Sequence, residues 1–409
     1  MNRRFIGLDV HKNIIYVTIL SLMDGTVEQY QTSTQERDLN ALLAALKPGD
    51  EVALEATRGS NFYVDQIAWR VAKVAVANPS KMKTNKNAKN DRNDSLSLAL
   101  QLANGTLPTV WVPDHETRQD RELIRHRMNI VQEQTRIKNR IRASLAEHGM
   151  TWPGSDIQSA GAQLFLVKLG TRLPEVTRAI LADQLERLNF LEIRLKRIEQ
   201  VIEVRADRWP QLSLLMSIRG INVLTAFTIL ATIGRVDRFP SADSLANYSG
   251  LVPREYSSGG KSRHGAITKA GSKMLRWALT EAVQSLCRVD GPYRNLCKRL
   301  EWKKKGKGIS ATACARKLLR AIWCMLTRGE KFRQAEPELT ESKARNREQR
   351  LKSARELVAA RRERQREFLV SQVATIQELA SKGMQMPVPT KLLASFGRQP
   401  LASALAAIG

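Results

Sequence analysis

Alternating hydrophobic and polar positions predict a β-rich start to the chain. Three segments rich in β-branched and aromatic residues are separated by polar turns, and helical leucine spacing follows them. The predicted order is strand 4–9, strand 14–20, strand 27–31, helix 39–46, strand 52–55, helix 62–71, strand 74–77, a mobile polar loop at 80–93, helix 94–102 and strand 109–112. This order indicates an α/β domain over residues 1–112, in which helices cover the faces of a mixed sheet.

Helical periodicity dominates the next part of the chain. Two long helical patterns cover 115–148 and 175–205, and in the second a leucine or isoleucine recurs every seventh residue from Leu181 to Ile202. This spacing is typical of a coiled-coil seam. We therefore predict a helical coiled-coil arm over 113–208, which folds back on itself or pairs with another subunit. An ordinary helical bundle is the alternative.

Residues 209–330 are predicted to form a second, mainly helical region, so the chain combines α/β with all-α architecture. A helix, a tight glycine turn and a second helix at 215–234 make a helix-hairpin-helix-like element, whose helix N-terminus suits a phosphate. Residues 331–409 are first charge-dense and then small and apolar. We predict a basic, solvated helical extension with a loose tail there.

Charge indicates the class of partner. The chain has 66 Lys and Arg against 40 Asp and Glu, a formal net charge of +26. A protein this basic typically binds a polyanion, with nucleic acid as the leading candidate and a ribosome or an anionic membrane as the lesser one. No segment approaches the ~18 unbroken apolar residues of a membrane helix, and the N-terminus lacks a small-residue cleavage site, so we expect a cytoplasmic protein. The four cysteines lack metal-ligand spacing and are predicted to be reduced, buried thiols.

Four carboxylates stand at positions typical of a metal site. Asp9 and Glu55 end two predicted strands, and Asp91 and Asp94 lie three residues apart near a predicted helix start. Such positions can converge at one edge of a sheet, where two carboxylates 4 Å apart repel by about 4 kcal/mol. A divalent cation removes that repulsion, and oxygen ligands suit magnesium or manganese. Read singly, Asp91 and Asp94 could cap a helix and Asp9 could be a turn residue.

A glycine-rich, basic segment at 250–279 holds a second candidate group. Ser257 and Ser258 precede Gly259 and Gly260, and we predict a sharply turned, exposed loop there. The basic residues in this segment are Arg254, Lys261, Arg263, His264, Lys269, Lys273 and Arg276. A serine hydroxyl is a nucleophile only when it is activated and presented to a polarised target. From these residues alone, a flexible phosphate-binding loop is the stronger interpretation.

Two blocks of motifs resemble a known family. GLDVHK at 7–12, LEATRGSNF, and KNDRNDSLSLA at 89–99 resemble the RuvC-like DEDD domain of the Piv/MooV-type transposases, the insertion-sequence 110 group. SIRGINVLTAFTILATIG at 217–234 and the segment 238–279 resemble that family's C-terminal transposase domain. The resemblance covers roughly residues 4–330, with the two blocks in the family's order.

The resemblance implies a fold and a chemistry. The first domain should be RuvC/RNase H-like, with a magnesium-binding tetrad made of Asp9, Glu55, Asp91 and Asp94. Ser258 should be the nucleophile, because it matches the serine of the family's G-L-x-P-R-x-x-x-S-G pattern, and Ser257 is the alternative if the register differs. In that family the serine attacks a DNA phosphate and becomes covalently linked to it, while a metal site from another subunit assists.

The same resemblance implies partners. These are donor and target DNA, a structured noncoding guide RNA, and further copies of the chain in a dimer or a tetramer. The arm at 113–208 would then pair subunits and hold RNA, and the protein would be associated with the nucleoid.

The sequence departs from the family pattern in three places. The hairpin reads R-G-I-N at 219–222 where P-G-I-G is common, so Asn222 puts its phosphate-binding geometry in question. N-D-R-N-D at 90–94 replaces the usual K-T-D-x-x-D, and the extension beyond residue 330 exceeds the family core. A RuvC-like junction-resolving nuclease and a site-specific DNA invertase stay open as alternatives. A non-enzymatic nucleic-acid scaffold would leave the four carboxylates unexplained.

Overall fold

A computed structural model describes most of the chain. The described residues are 3–82, 91–151, 165, 168, 172–258, 261–303 and 306–381. Most of the predicted polar loop, the connection between the two long helices, Gly259, Gly260 and the predicted tail from 382 lie outside the described residues. The chain divides into two units, Met1–Asp114 and His115–Gly409.

A six-stranded mixed sheet forms the centre of the first unit. Its strands are β1 (Arg4–Val10), β2 (Ile14–Ser21), β3 (Thr26–Ser33), β4 (Glu51–Glu55), β5 (Lys73–Ala77) and β6 (Thr109–Val110). Their order in the sheet is β3-β2-β1-β4-β5-β6, and β1, β4 and β5 are parallel neighbours. The helices are α1 (Glu36–Ala44), α2 (Ser60–Ile67) and α3 (Asp91–Ala103). The predicted mixed α/β architecture is confirmed, and it is consistent with an RNase H-like domain.

The two faces of this sheet differ in side-chain size. Large aliphatic residues, such as Leu8 and Leu54, cover one face and pack with the leucines of α1. The opposite face carries small residues at its centre, among them Gly7 and Ala53. Because no bulky side chain intervenes there, α3 lies directly on the strands.

The second unit, in the part that the structure describes, is mainly helical and contains a two-stranded hairpin. Its helices are α4 (His115–Glu147), α5 (Glu175–Ala206), α6 (Leu212–Met216), α7 (Val223–Ile233), α8 (Ala242–Ser249), α9 (Lys273–Leu286), α10 (Pro292–Trp302), α11 (Lys307–Arg328) and α12 (Pro337–Ser381). Strands β7 (Pro253–Ser258) and β8 (Lys261–Ile267) pair antiparallel between α8 and α9. Apart from residues 113 and 114, the finer divisions predicted at 113–208, 209–330 and 331–409 fall within this unit, and they stay predictions.

The two long helices α4 and α5 fold back on each other within one chain. Arg127 near the start of α4 pairs with Glu199 near the end of α5 at 2.7 Å, and Gln134 contacts Glu192 further along. Buried aliphatic residues from both helices, including Ile141 and Leu188, fill the interface. The antiparallel arrangement is one of the two that the sequence left open, and coiled-coil supercoiling stays a prediction.

The extension after residue 330 is a helix, as predicted, but it is not wholly solvated. Ala354 and Val358 on α12 are buried, and Arg347 forms an ion pair with Asp207 at 2.6 Å. The prediction of a solvated helix was wrong in this respect, because apolar positions among its many charges are buried. Within the described part of the chain, no helix has the length and apolar character needed to cross a bilayer.

Candidate active site

Two tetrad residues lie side by side at the carboxyl ends of β1 and β4. The parallel register pairs Leu8 with Leu54, so Asp9 and Glu55, the next residues on each strand, occupy adjacent positions. Residues at matching positions of parallel strands lie on the same face of a sheet. Asp9 and Glu55 therefore share the face that carries Gly7, which is the face that α3 covers.

Helix α3 brings the other two tetrad residues to the same edge. Its backbone lies against Gly7, where an added Cβ would be 1.9 Å from the carbonyl oxygen of Ser95. Leu98 and Leu102, later in the helix, share an apolar cluster with Phe5 near the start of β1. The helix thus runs back along β1, and its first turn, with Asp91 and Asp94, lies towards the end of the strand that carries Asp9. The side chain of Asp91 lies outside the described residues.

The N-terminal part of α3 is also held by polar contacts to β2 and β3. The Ser95 and Thr18 hydroxyls are 2.8 Å apart and both are buried. The side-chain amide of Gln29 donates to the Arg92 carbonyl oxygen at 3.1 Å. These contacts fix the height of the helix start on the sheet, and with it the position of Asp94.

Asp9 has a histidine partner at the strand end. Asp9 is buried, with 7% of its surface exposed, whereas Glu55 and Asp94 are half-buried. The imidazole Nε2 of His11 lies 3.1 Å from Asp9 Oδ2, and the His11 ring meets Tyr16 edge-on. Across the described residues, Asp9, Glu55 and Asp94 do not form a group of three in which all the ligand oxygens lie within 4.8 Å of one another. These residues offer the carboxylate oxygens that a divalent cation takes as ligands.

Ser258 lies at the end of β7 in a β-hairpin. It pairs with Lys261 of β8, and Ser257 pairs with Ser262. We expected a sharply turned, exposed loop here, and this was wrong for the two serines, because Ser257 and Ser258 continue β7 and pair with Ser262 and Lys261. The side chains of Ser257, Ser258, Lys261, Arg263 and His264 lie outside the described residues.

The base of this hairpin is fixed tightly to the helical core. An added Cβ on Gly271 would be 1.8 Å from the Tyr248 carbonyl oxygen, and Gly250 has a left-handed φ of 69°. The Arg276 guanidinium donates to the carbonyl oxygens of Ser249 and Gly271 at 3.0 and 2.7 Å. The β-hairpin therefore projects from a base whose backbone has little freedom.

Both blocks of the chain match transposase family models. A model described as Transposase, for the DEDD domain of IS110 elements, matches residues 6–150. A second, described as Transposase IS116/IS110/IS902 family, matches residues 212–297. The chain belongs to the IS110 family of insertion-sequence transposases. It is therefore an enzyme of DNA strand transfer, and DNA is its partner.

Curated relatives of this IS110 transposase include the transposase for insertion sequence element IS1111A of Coxiella burnetii. The two are 26% identical over 81% of this chain and 91% of the relative. A probable family 20 transposase of Pseudomonas aeruginosa is also 26% identical, over 81% of this chain and 99% of the relative. The pilin gene-inverting protein of Moraxella bovis is 33% identical over 33% of this chain and 43% of its own length.

The predicted nucleic-acid contacts of the transposase differ in their surroundings. Arg254, Lys269 and Lys273 are exposed around the base of the β-hairpin, where phosphates can reach them. Arg276 is half-buried, and burial lowers the pKa of its guanidinium. Because Arg276 donates hydrogen bonds to two backbone carbonyls, it stabilises the base of the β-hairpin. Its role in binding nucleic acid stays a prediction.

Asn222 caps the N-terminus of α7 with its side chain, which the glycine common in the family at this position could not do. Its side-chain oxygen accepts the Thr225 backbone N–H at 2.9 Å, and its own backbone N–H donates to the Thr225 hydroxyl oxygen at 2.8 Å, which makes a reciprocal capping box. Gly220 before it has a φ of 83° and leaves no room for a Cβ against Ser285. Because of this departure from the family pattern, the Asn222 side chain already binds one of the backbone N–H donors at the N-terminus of α7.

Three cysteines whose spacing does not indicate a shared site meet in the second unit. The Sγ atoms of Cys287, Cys297 and Cys314 all lie within 4.8 Å of one another, the one such group of potential metal ligands among the described residues. All four cysteines are free thiols, with Cys297 and Cys314 buried. Burial, followed by the hydrogen bond to Cys297, raises the pKa of Cys287 to about 12, and burial also raises the pKa of Cys314.

We expect these clustered thiols to resist modification in the folded transposase. A thiol with a raised pKa is less often a thiolate at any pH below that value, and the thiolate is the reactive form. In a Cys324→Ser background, which removes the half-exposed cysteine outside the cluster, an aromatic disulfide reagent at mildly alkaline pH should react at least roughly 100-fold more slowly than after unfolding. Equal rates before and after unfolding would contradict the packing of the cluster.

Proposed function

We propose that this transposase cuts and rejoins DNA through a nucleophilic serine, Ser258, and a magnesium-binding DEDD tetrad. The observation that carries the proposal is the arrangement in the first unit. Asp9 and Glu55 stand at adjacent strand ends, and α3 lays its first turn, with Asp94, towards the same edge. Carboxylates converge in this way at a cost in repulsion, which a bound cation offsets.

The donor set suits magnesium, with manganese as the alternative. All four members of the tetrad offer carboxylate oxygens, the ligands that these hard cations prefer. When bound, such ions stabilise the charge on the attacking and leaving oxygens of a phosphodiester. The chain's own contribution is to hold Asp9 in place through His11 and to set the height of α3 through Ser95.

Backbone pairing in the β-hairpin favours Ser258 over Ser257. Residues directly opposite each other are neighbours in an antiparallel pair. Ser258 is paired with Lys261, whereas Ser257 is paired with Ser262. A phosphodiester carries negative charge, so we assign the nucleophile to the serine that is paired with a lysine.

The proposed reaction has two balanced steps. In the first, the Ser258 oxygen forms a bond to phosphorus, the bond from phosphorus to the leaving strand breaks, and the serine proton ends on that strand's hydroxyl. In the second, a hydroxyl of the incoming strand attacks the phosphoserine, the serine oxygen leaves, and the proton returns to it. No net phosphodiester bond is lost, which is the requirement of strand exchange.

The other proposed partners rest on charge and on the resemblance to the family. We propose donor and target DNA, a structured noncoding guide RNA and further copies of the chain, as a dimer or a tetramer, with association with the nucleoid. The net charge of +26 supports polyanion binding. The antiparallel arm of α4 and α5 is the element we assign to subunit pairing and RNA contact.

Trapping a covalent intermediate tests the serine. The transposase is incubated with magnesium, RNA transcribed from the region that flanks its gene, and donor DNA carrying the element's own end with a nick that lets the leaving strand diffuse away. We expect a denaturation-resistant protein–DNA adduct whose phosphopeptide maps to Ser258. Ser258→Ala should form none, while Ser257→Ala, the matched control, should form it at the normal level.

The outcomes separate the proposal from its alternatives. Hydrolysis of DNA without an adduct would support a junction-resolving nuclease and refute the serine role. An adduct at Ser257 would correct the register. An invertase uses the same chemistry, and the similarity to the pilin gene-inverting protein keeps it as the second candidate. Exchange only between two inverted copies of one site would favour it over insertion into new targets.

A further inference from the structure

Three backbone carbonyls of the turn between α6 and α7 point at a single ammonium group. Lys343 Nζ, on α12, donates to the carbonyl oxygens of Met216, Ile218 and Ile221 at 2.9, 2.7 and 3.0 Å. A lysine ammonium has three protons to donate, so each carbonyl takes one. We call these three carbonyl oxygens the carbonyl cage.

The shape of the carbonyl cage is set by the turn itself. Gly220 adopts a left-handed φ of 83° and lies so close to α9 that an added Cβ would be 2.6 Å from Ser285 Cβ. Ile218 and Ile221 are fully buried in the core of the second unit. Because core packing fixes the turn, the carbonyls should keep their positions when the lysine is absent.

Two further contacts hold Lys343 at the carbonyl cage. The Phe332 backbone N–H donates to the buried Ser217 hydroxyl at 2.9 Å. Glu336 pairs with Arg219 through both oxygens, one of them 2.7 Å from Arg219 Nε. The chain from 332 to 343 is thus tied to each part of the turn in succession, which makes the approach of Lys343 specific.

A cation here is partly removed from water. Lys343 is half-buried, and burial, followed by the charge of Arg219, lowers the pKa of its ammonium to about 8. Burial of a charge is unfavourable unless polar partners replace the lost water. Three carbonyl oxygens do this for Lys343, and they are the kind of ligand that also replaces the water shell of a potassium ion.

We propose that the carbonyls of Met216, Ile218 and Ile221 form a monovalent-cation site, which this chain fills with the ammonium of Lys343. The ligand class is an ammonium group or an ion of similar size such as potassium. The C-terminal helix is then a structural part of the helix-hairpin-helix-like element, because it supplies the positive charge at the turn. This inference does not depend on the serine or on the tetrad.

A substitution that empties the carbonyl cage tests the site. Lys343→Met removes the charge and the donors but keeps an unbranched apolar stem, and Lys352→Met, at an exposed lysine of the same helix, is the matched control. Thermal unfolding of the full chain is measured at neutral pH in potassium chloride, lithium chloride and tetramethylammonium chloride at equal ionic strength. We expect Tm of the native chain and of Lys352→Met to be the same in potassium and in tetramethylammonium.

The variant with an empty cage should behave differently. In tetramethylammonium, which is too large for the carbonyl cage, Tm of Lys343→Met should fall by roughly 5 °C. Potassium should restore most of that loss along a saturating curve, and lithium should restore much less. An equal fall of Tm in all three salts, or no fall in any, would overturn the proposal and leave Lys343 as a simple tether.

Poor folding of the variant would also give an answer. If Lys343→Met folds in potassium but not in tetramethylammonium, the cation site is supported. If it folds in neither, Lys343→Gln, which keeps two N–H donors without a charge, is measured in the same salts. A potassium-dependent Tm for that variant supports the site, and a Tm that does not distinguish the salts refutes it.

Discussion

Asp9→Asn should abolish DNA strand exchange while leaving the fold and nucleic-acid binding intact. Asp9 is buried at a strand end beside Glu55, and its carboxylate is the most enclosed of the described tetrad residues. An amide of the same shape keeps the packing but removes the negative charge that a magnesium site requires. We expect a loss of activity on the order of 10³-fold or more, measured as recombinant product formed with time.

Stability measurements distinguish this loss from misfolding. Because the substitution relieves repulsion between carboxylates, Tm of Asp9→Asn without magnesium should equal or exceed that of the native chain. Magnesium should raise Tm of the native chain and not that of the variant. Glu36→Gln, which removes an exposed charge on α1 at the opposite face of the sheet, is the matched control and should retain full activity. Exchange by Asp9→Asn at the native rate would show that the tetrad is not the metal site.

Gly7→Ala should unfold or severely distort the first unit. The added Cβ would lie 1.9 Å from the Ser95 carbonyl oxygen and 2.8 Å from the Ala99 nitrogen. Both atoms belong to the backbone of α3, so no side-chain rotation can relieve the clash and the helix must move away from β1. We expect a loss of at least about 3 kcal/mol of stability and a fall in Tm of roughly 10 °C or more. Activity should be lost as well, because α3 carries Asp91 and Asp94.

A glycine in open space provides the control for this prediction. Gly49, between α1 and β4, has no atom within 4 Å of an added Cβ. Gly49→Ala should therefore be neutral or slightly stabilising, since it reduces the entropy of the unfolded chain. Hydrogen exchange of the α3 amides reports the local effect. If Gly7→Ala protects those amides as well as Gly49→Ala does, α3 does not lie on Gly7 as described.

Much of the first unit could be predicted from the sequence. The strand expected at 14–20 is observed as Ile14–Ser21, and the one expected at 52–55 as Glu51–Glu55. The hydrophobic pattern was informative because polar turns separate the segments rich in β-branched residues, and because helices cover each face of the sheet. The same alternation places Asp9 and Glu55 at strand ends, so their proximity was predicted before their register was known. Their metal-binding role stays a prediction.

The second unit was less predictable where contacts join distant parts of the chain. The segment around Ser258 was expected to be a loop because two glycines follow it, whereas it forms a β-hairpin. Lys343 meets the turn at Met216 across 127 residues of sequence, and it looked like one of many charges on a solvated helix. The meeting of Cys287 with Cys314 likewise depends on how three helices pack, which local periodicity does not contain.

The antiparallel pairing of α4 and α5 gives the arm a length that can vary in fixed steps. At 1.5 Å per residue, the 33 residues of α4 span about 50 Å. The first turns of α4 and the last of α5 belong to the main core, through Ile124 and Ile202, whereas the remainder has its own apolar seam. Seven residues added to or removed from each helix preserve the facing pairs and change the reach by about 10 Å, or roughly three base pairs of DNA. The length of this helix pair can thus change in such steps while the residues that face each other across it stay paired.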